Sequence, residues 1–177
     1  SVAMTNNTVQ SLGNQAFYNC INLSNVKLST NIREIPAYAF YGTKLSTLNI
    51  PYSVKKISEA AFRLNTSLTS VSFDTGSNCT ELSSQAFSKC SSLTGITLPS
   101  GITKIDDRAF EECTNLQTVT LPNQLKRIYG GTFNKCSSLR KITIPDNVTQ
   151  ILTTNSYGTV FDGAFNNCLV LTEVTLG

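Results

Sequence analysis

Residues 86–99 read Ala86-Phe87-Ser88-Lys89-Cys90-Ser91-Ser92-Leu93-Thr94-Gly95-Ile96-Thr97-Leu98-Pro99, followed by Ile102 and Ile105. The next stretch repeats this almost symbol for symbol, with Ala109, Phe110, Cys113, Leu116, Val119, Leu121, Pro122, Leu125 and Ile128 in the same places. A small residue, usually Ala, precedes Phe17, Phe40, Phe62, Phe87, Phe110, Phe133 and Phe165, which lie 23, 22, 25, 23, 23 and 32 residues apart. Self-similarity at that period marks a solenoid, in which each unit buries its apolar face only against its neighbours.

Within the unit, Ile96-Thr97-Leu98 alternates with period two, which puts Ile96 and Leu98 on one side of a short strand and Thr97 on the other. Pro51, Pro99, Pro122 and Pro145 close their strands, because proline cannot donate to a continuing ladder. From Ile102 through Ile105 to Ala109-Phe110, apolar residues recur at separations of three, four and one, which predicts a helical or 3-10 turn as the return leg. The expected fold is an α/β solenoid: a right-handed horseshoe with a parallel sheet on its concave face and short helical or 3-10 return legs. One domain of about seven repeats covers 1–177, and with no polar capping unit at either end it reads as a piece of a longer array.

Two insertions break the rhythm. The first surrounds Asp74-Thr75-Gly76-Ser77-Asn78 and puts Cys79 at the core position held elsewhere by Ile102 or Leu125. The second lies between Ile151 and Ala164, contains Tyr157 and Phe161, and reads either as a neutral bulge or as a specificity loop.

Composition narrows the function. The net charge of +3 comes from 14 basic and 11 acidic residues scattered along the chain, so no dense field exists for nucleic acid or anionic lipid. No apolar run approaches the length of a membrane span, which excludes direct membrane insertion by a helix. Without His there is no Ser-His or Cys-His nucleophile, and the phosphate-loop and nucleophile-elbow motifs are absent. The densest acidic group, Asp106, Asp107, Glu111 and Glu112, reads as a solvated outer surface, as do the pairs Lys55-Lys56 and Lys126-Arg127, which form no continuous stripe. The expectation is no enzyme, with no catalytic, cofactor-binding or metal-binding residue and no cofactor.

Five of the six cysteines, Cys20, Cys90, Cys113, Cys136 and Cys168, share one repeat position. Strands about 4.8 Å apart bring neighbouring Cα atoms within disulfide range, so Cys90 to Cys113 and Cys113 to Cys136 are conceivable bridges. In-register side chains point the same way into the core, however, which favours buried free thiols. The Phe column likewise reads as core.

The phrase Cys-x-x-Leu-x-x-Ile-x-Leu-Pro followed by Ile-x-x-Ile-x-x-x-Ala-Phe closely resembles the BspA-like, or treponemal-type, leucine-rich repeat family over essentially the whole chain. Thr43 and Asn65 depart from it at the Cys position, Thr132 at the Ala, and Asp74 and Ser29 at the strand-ending Pro. The resemblance implies a cell-surface or secreted adhesin that binds host matrix proteins such as fibronectin and fibrinogen; it carries over no ligand-contacting residue.

The candidate partner-binding surface is the concave side of the sheet. Its first column is Lys27, Asn49, Ser72, Thr97, Thr120, Thr143 and Thr175; beside it run Asn25, Thr47, Ser70, Gly95, Thr118, Lys141 and Glu173. Short hydroxyl and amide side chains suit a protein surface or a glycan, and Thr is equally an ordinary exposed strand residue. The alternatives are a stalk that spaces a distant domain, or an intracellular scaffold. Sequons at Asn6, Asn22, Asn65, Asn78 and Asn147 do not arbitrate, and edge strands at both ends would allow an end-to-end homodimer.

Overall fold

The structure, a computed structural model, describes residues 2, 3, 8–155 and 157–177. The sequon at Asn6 lies outside the described residues. Fourteen short strands, numbered in chain order, form two faces of a parallel-strand solenoid. One face carries β1 (Val2–Ala3), β2 (Val26–Lys27), β4 (Thr47–Ile50), β6 (Ser70–Phe73), β8 (Gly95–Thr97), β10 (Thr118–Thr120), β12 (Lys141–Ile144) and β14 (Glu173–Leu176). The other carries β3 (Glu34–Ile35), β5 (Lys56–Ile57), β7 (Glu81–Leu82), β9 (Lys104–Ile105), β11 (Arg127–Ile128) and β13 (Gln150–Ile151).

Every strand pairing is parallel and joins equivalent repeat positions, such as Thr47 with Ser70, Thr120 with Thr97 and Lys141 with Glu173. That register follows from the alternating pattern, since a one-residue slip would turn Leu48, Ile96 and Ile142 out of a core in which each is less than 5 % exposed. On the first face the ladders join strands two by two; β6 and β8 lie side by side without one.

The return legs correct the sequence reading, because none of the described residues is helical. Two residues before and two after nearly every Phe, the backbone turns left-handed. Gln85 and Lys89 flank Phe87 with φ of 58° and 62°, and Arg108 and Glu112 flank Phe110 with φ of 54° and 57°. A left-handed residue costs a side-chain-bearing position about 1–2 kcal/mol and interrupts a right-handed helix at once. The apolar spacing of three comes instead from consecutive turns, such as Ala39 N–H to the Pro36 carbonyl and Tyr41 N–H to that of Tyr38. Alternate N–H groups, freed from local bonding, point along the solenoid axis. The Phe17, Phe40, Phe62, Phe87, Phe110 and Phe133 amides all donate to the residue before the next Phe, at 2.7–2.9 Å.

The seven Phe rings form one continuous stack, with centroids 5.1–5.7 Å apart and interplanar angles of 3–12°. Phe40 through Phe133 are fully buried, and the residue before each ring is Ala or Thr132 because no larger side chain fits between coils. All six cysteines are free. Cys90, Cys113, Cys136 and Cys168 each donate the thiol to the Phe carbonyl of the preceding coil, at 3.1–3.2 Å. Of the two departures at this position, Asn65 keeps that bond by donating to the Phe40 carbonyl as well as to that of Phe62, whereas the Thr43 hydroxyl lies 3.1 Å from the Phe40 carbonyl of its own coil and 2.5 Å from Asn65 Oδ1. Burial pushes the Cys79 thiol up to about 11 and that of Cys90 to about 12 from an ordinary 9.0.

Candidate ligand-binding face

The strand face brings the two predicted columns together in register. Lys27, Asn49, Ser72, Thr97, Thr120, Thr143 and Thr175 are all exposed, as are Thr47, Ser70, Thr118, Lys141 and Glu173. Charge is sparse on it: the Lys141 ammonium lies 2.5 Å from the Glu173 carboxylate, which leaves the central stretch from Asn49 to Thr120 uncharged apart from Asp74 at its edge. Asp74 is committed within the chain, accepting from Asn49 Nδ2 at 2.8 Å and from the Tyr52 N–H at 3.2 Å. Ser72 in turn donates to Asn49 Oδ1 at 2.9 Å.

Two hollows open on this face, one on each side of Asp74. One is bounded by Lys27, Thr47, Asn49 and Pro51; the other, of about 610 Å³, by Ser72, Phe73, Gly95, Thr97, Ser100 and Thr118. Phe73 was missed in the sequence. It ends β6 at the position held by Leu28, Ile50, Leu98, Leu121 and Ile144, which are all buried, yet it is itself only partly buried against the core. The available signal was the coincidence of an aromatic at an aliphatic position with the loss of the following proline to Asp74.

The opposite side is charged, and in its central coils the charges pair with one another. Glu34, Lys56, Glu81 and Lys104 alternate in sign up the second strand face, and Arg127 follows Lys104 and donates to Gln150 at 2.6 Å. Glu81 lies 3.3 Å from Lys56 and 3.6 Å from Lys104, and Lys104 lies 3.0 Å from Asp106. Asp106 and Asp107 are buried, which corrects their reading as solvated surface. Burial raises the Asp107 carboxyl above its ordinary value although the Ser84 hydroxyl donates to it at 2.9 Å.

The second insertion folds back over this outer side. Thr154 bridges Val160 in antiparallel fashion, and Asn155 Oδ1 accepts from the Tyr157 and Thr159 N–H groups. Phe161 then lies under the Arg108 guanidinium at 4.0 Å, and Asp162 accepts from Asn134. Tyr157 at the tip is 89 % exposed. The loop is therefore anchored away from the strand columns. Of the sequons, Asn65 is buried and doubly bonded, whereas Asn22, Asn78 and Asn147 are exposed. Among the described residues no group of three His, Cys, Asp or Glu side chains is placed to hold a metal, and no helix is long and apolar enough to cross a membrane.

A stack of this geometry, with Phe, thiol and strand positions recurring in register, defines a leucine-rich repeat. The chain belongs to the BspA-type leucine-rich repeat family, whose model, a BspA type leucine rich repeat region, matches residues 1–80 and 72–177. Among solved structures it is similar to a leucine-rich repeat protein from Bacteroides ovatus, at 31% identity and a TM-score of 0.83 over 94% of this chain. It spans 40% of that protein. A leucine rich repeat protein of T. pallidum is 28% identical with a TM-score of 0.66, over 94% of this chain and 63% of its own. A leucine rich cell surface protein from Faecalibacterium prausnitzii shares the fold at 20% identity and a TM-score of 0.55, over 99% of this chain and 59% of its own. No curated protein sequence matches the chain.

Proposed function

We propose that this chain is a non-catalytic recognition module of a cell-surface or secreted adhesin, which grips a protein or glycan partner, host matrix included, through its strand face, the concave side of a right-handed arc. The observation that carries this reading is the face itself. Its outward side chains are short, exposed, in register and mostly uncharged, while Lys56, Glu81, Lys104 and Asp106 of the opposite side are spent on one another. Short hydroxyl and amide groups lose little rotamer freedom on binding and offer donors and acceptors at the strand spacing. Membership of the repeat family and the cell-surface description of one fold neighbour support the placement outside the cell.

The test is binding of the isolated chain to immobilised fibronectin, fibrinogen and bacterial or host polysaccharides, with Thr97→Arg, Thr120→Arg and Thr143→Arg combined. Arg at these positions projects from the face without entering the core, so the fold survives. Loss of binding supports the reading. Binding that persists at full strength refutes it.

A further inference from the structure

We propose that the hollow between β6 and β8 is a subsite for a neutral saccharide unit. The inference rests on the strand face being the binding surface, and it names the ligand chemistry for one part of it.

Three observations converge there. Phe73, partly buried, lines the hollow with an aromatic side chain where the buried residues at the equivalent strand ends are aliphatic. Gly95 interrupts the second column, and the Thr118 hydroxyl sits where its side chain would go: a Cβ at this position would lie 2.6 Å from Thr118 Oγ1. No ladder joins β6 to β8, one of the places where the two-by-two pairing of this face is interrupted, and the hollow of about 610 Å³ lies between these two coils.

The chemistry of the lining selects the ligand. A pyranose has an apolar C–H face and a rim of hydroxyls, and it wants an aromatic platform edged by small donors and acceptors. Phe73 supplies the platform. The hydroxyls of Thr97, Ser100 and Thr118 supply the edge, and these three make no side-chain hydrogen bond within the described chain. An anionic sugar finds no Lys or Arg in the lining, and a basic peptide meets only Asp74, whose carboxylate already accepts from Asn49 and the Tyr52 amide. A protein hot spot would want a deeper apolar socket for an anchoring side chain.

The experiment is a nuclear magnetic resonance titration of the chain with cellotetraose, maltotetraose, mannotetraose and N-acetylchitotetraose at millimolar concentrations. At least one should saturate, with shifts centred on Ser72–Phe73 and Gly95–Thr97. Phe73→Leu restores the residue type of the other coils, so the chain should fold while affinity drops about tenfold, the weight of one lost stacking contact. Gly95→Ala forces the Thr118 hydroxyl out of its place and should weaken binding in the same direction. Absence of saturation with all four sugars, or binding indifferent to both variants, overturns the subsite. If Thr120→Arg with Thr143→Arg abolishes capture of a matrix protein while none of the four sugars saturates the chain, the subsite falls and the face stands. If neither set alters any binding, both fall.

Discussion

In the coil of Phe87, the return leg and the strand obey different constraints. Phe87 stacks on two rings, its amide is bonded to the next coil and its carbonyl takes the thiol of Cys113, so the residue has no freedom left. Thr97, on the opposite side of the same coil, touches its neighbours only through the backbone ladder and its side chain faces solvent. Repetition is enforced on one side by packing and tolerated on the other. The variation that matters for recognition therefore gathers on the strand side, at Asn49, Phe73, Asp74 and Gly95.

The sharpest way to break this contrast is Phe110→Ala. It empties the middle of the stack and should cost about 3–5 kcal/mol in urea unfolding; a loss no larger than that of a surface change would show that the rings carry no weight. Alkaline pH probes the thiol column next. Both states are protonated well below the ordinary thiol value of 9.0; above it the unfolded chain ionises while Cys79, near 11, and Cys90, near 12, keep their protons. Stability is thus full below about pH 9 and falls as pH rises towards about 12, by at most about 1.4 kcal/mol per pH unit for each thiol. Urea midpoints that stay level above pH 9 would contradict this, and replacing Cys90 and Cys113 by Ser should flatten the decline.

Smaller effects sharpen the contrast. Cys113→Thr should cost under about 1.5 kcal/mol, since Thr43 already occupies the equivalent place, whereas Cys113→Leu overpacks the column and should cost about 1–3 kcal/mol. Lys89→Gly relieves a left-handed side chain and should gain up to about 1 kcal/mol in thermal unfolding. Thr143→Ala, on the free side, should stay within about 0.5 kcal/mol of the parent. A change there as large as that at Cys113 would erase the distinction.

The legible part of the molecule is the part fixed by one residue type per coil. The Phe and Cys positions announce their period, and the alternation of Ile96, Thr97 and Leu98 sets the register of both columns. The left-handed turns were hidden because glycine, their usual mark, appears at only two of these positions beside a Phe, Gly42 and Gly131. Elsewhere Gln, Asn, Tyr, Ala, Leu, Lys, Arg or Glu bears the strain, which axial hydrogen bonds to the next coil offset, and such bonds lie some twenty residues away in sequence. On the binding face the columns were readable but the hollow was not. Its signal is a deviation, Phe73 for an aliphatic and Gly95 for a side chain, and deviations gain meaning only once their neighbours are placed.

The axial amides have a further consequence. Each Ala–Phe peptide aims its carbonyl at the preceding coil and its N–H at the following one, and none is reversed from Phe17 to Phe133. The stack is a vector, with acceptors at its head and donors at its tail. A partner that extends it, whether more of the same polypeptide or another molecule, must arrive head to tail; like ends meet donor against donor, and a twofold symmetric joint cannot form through these bonds.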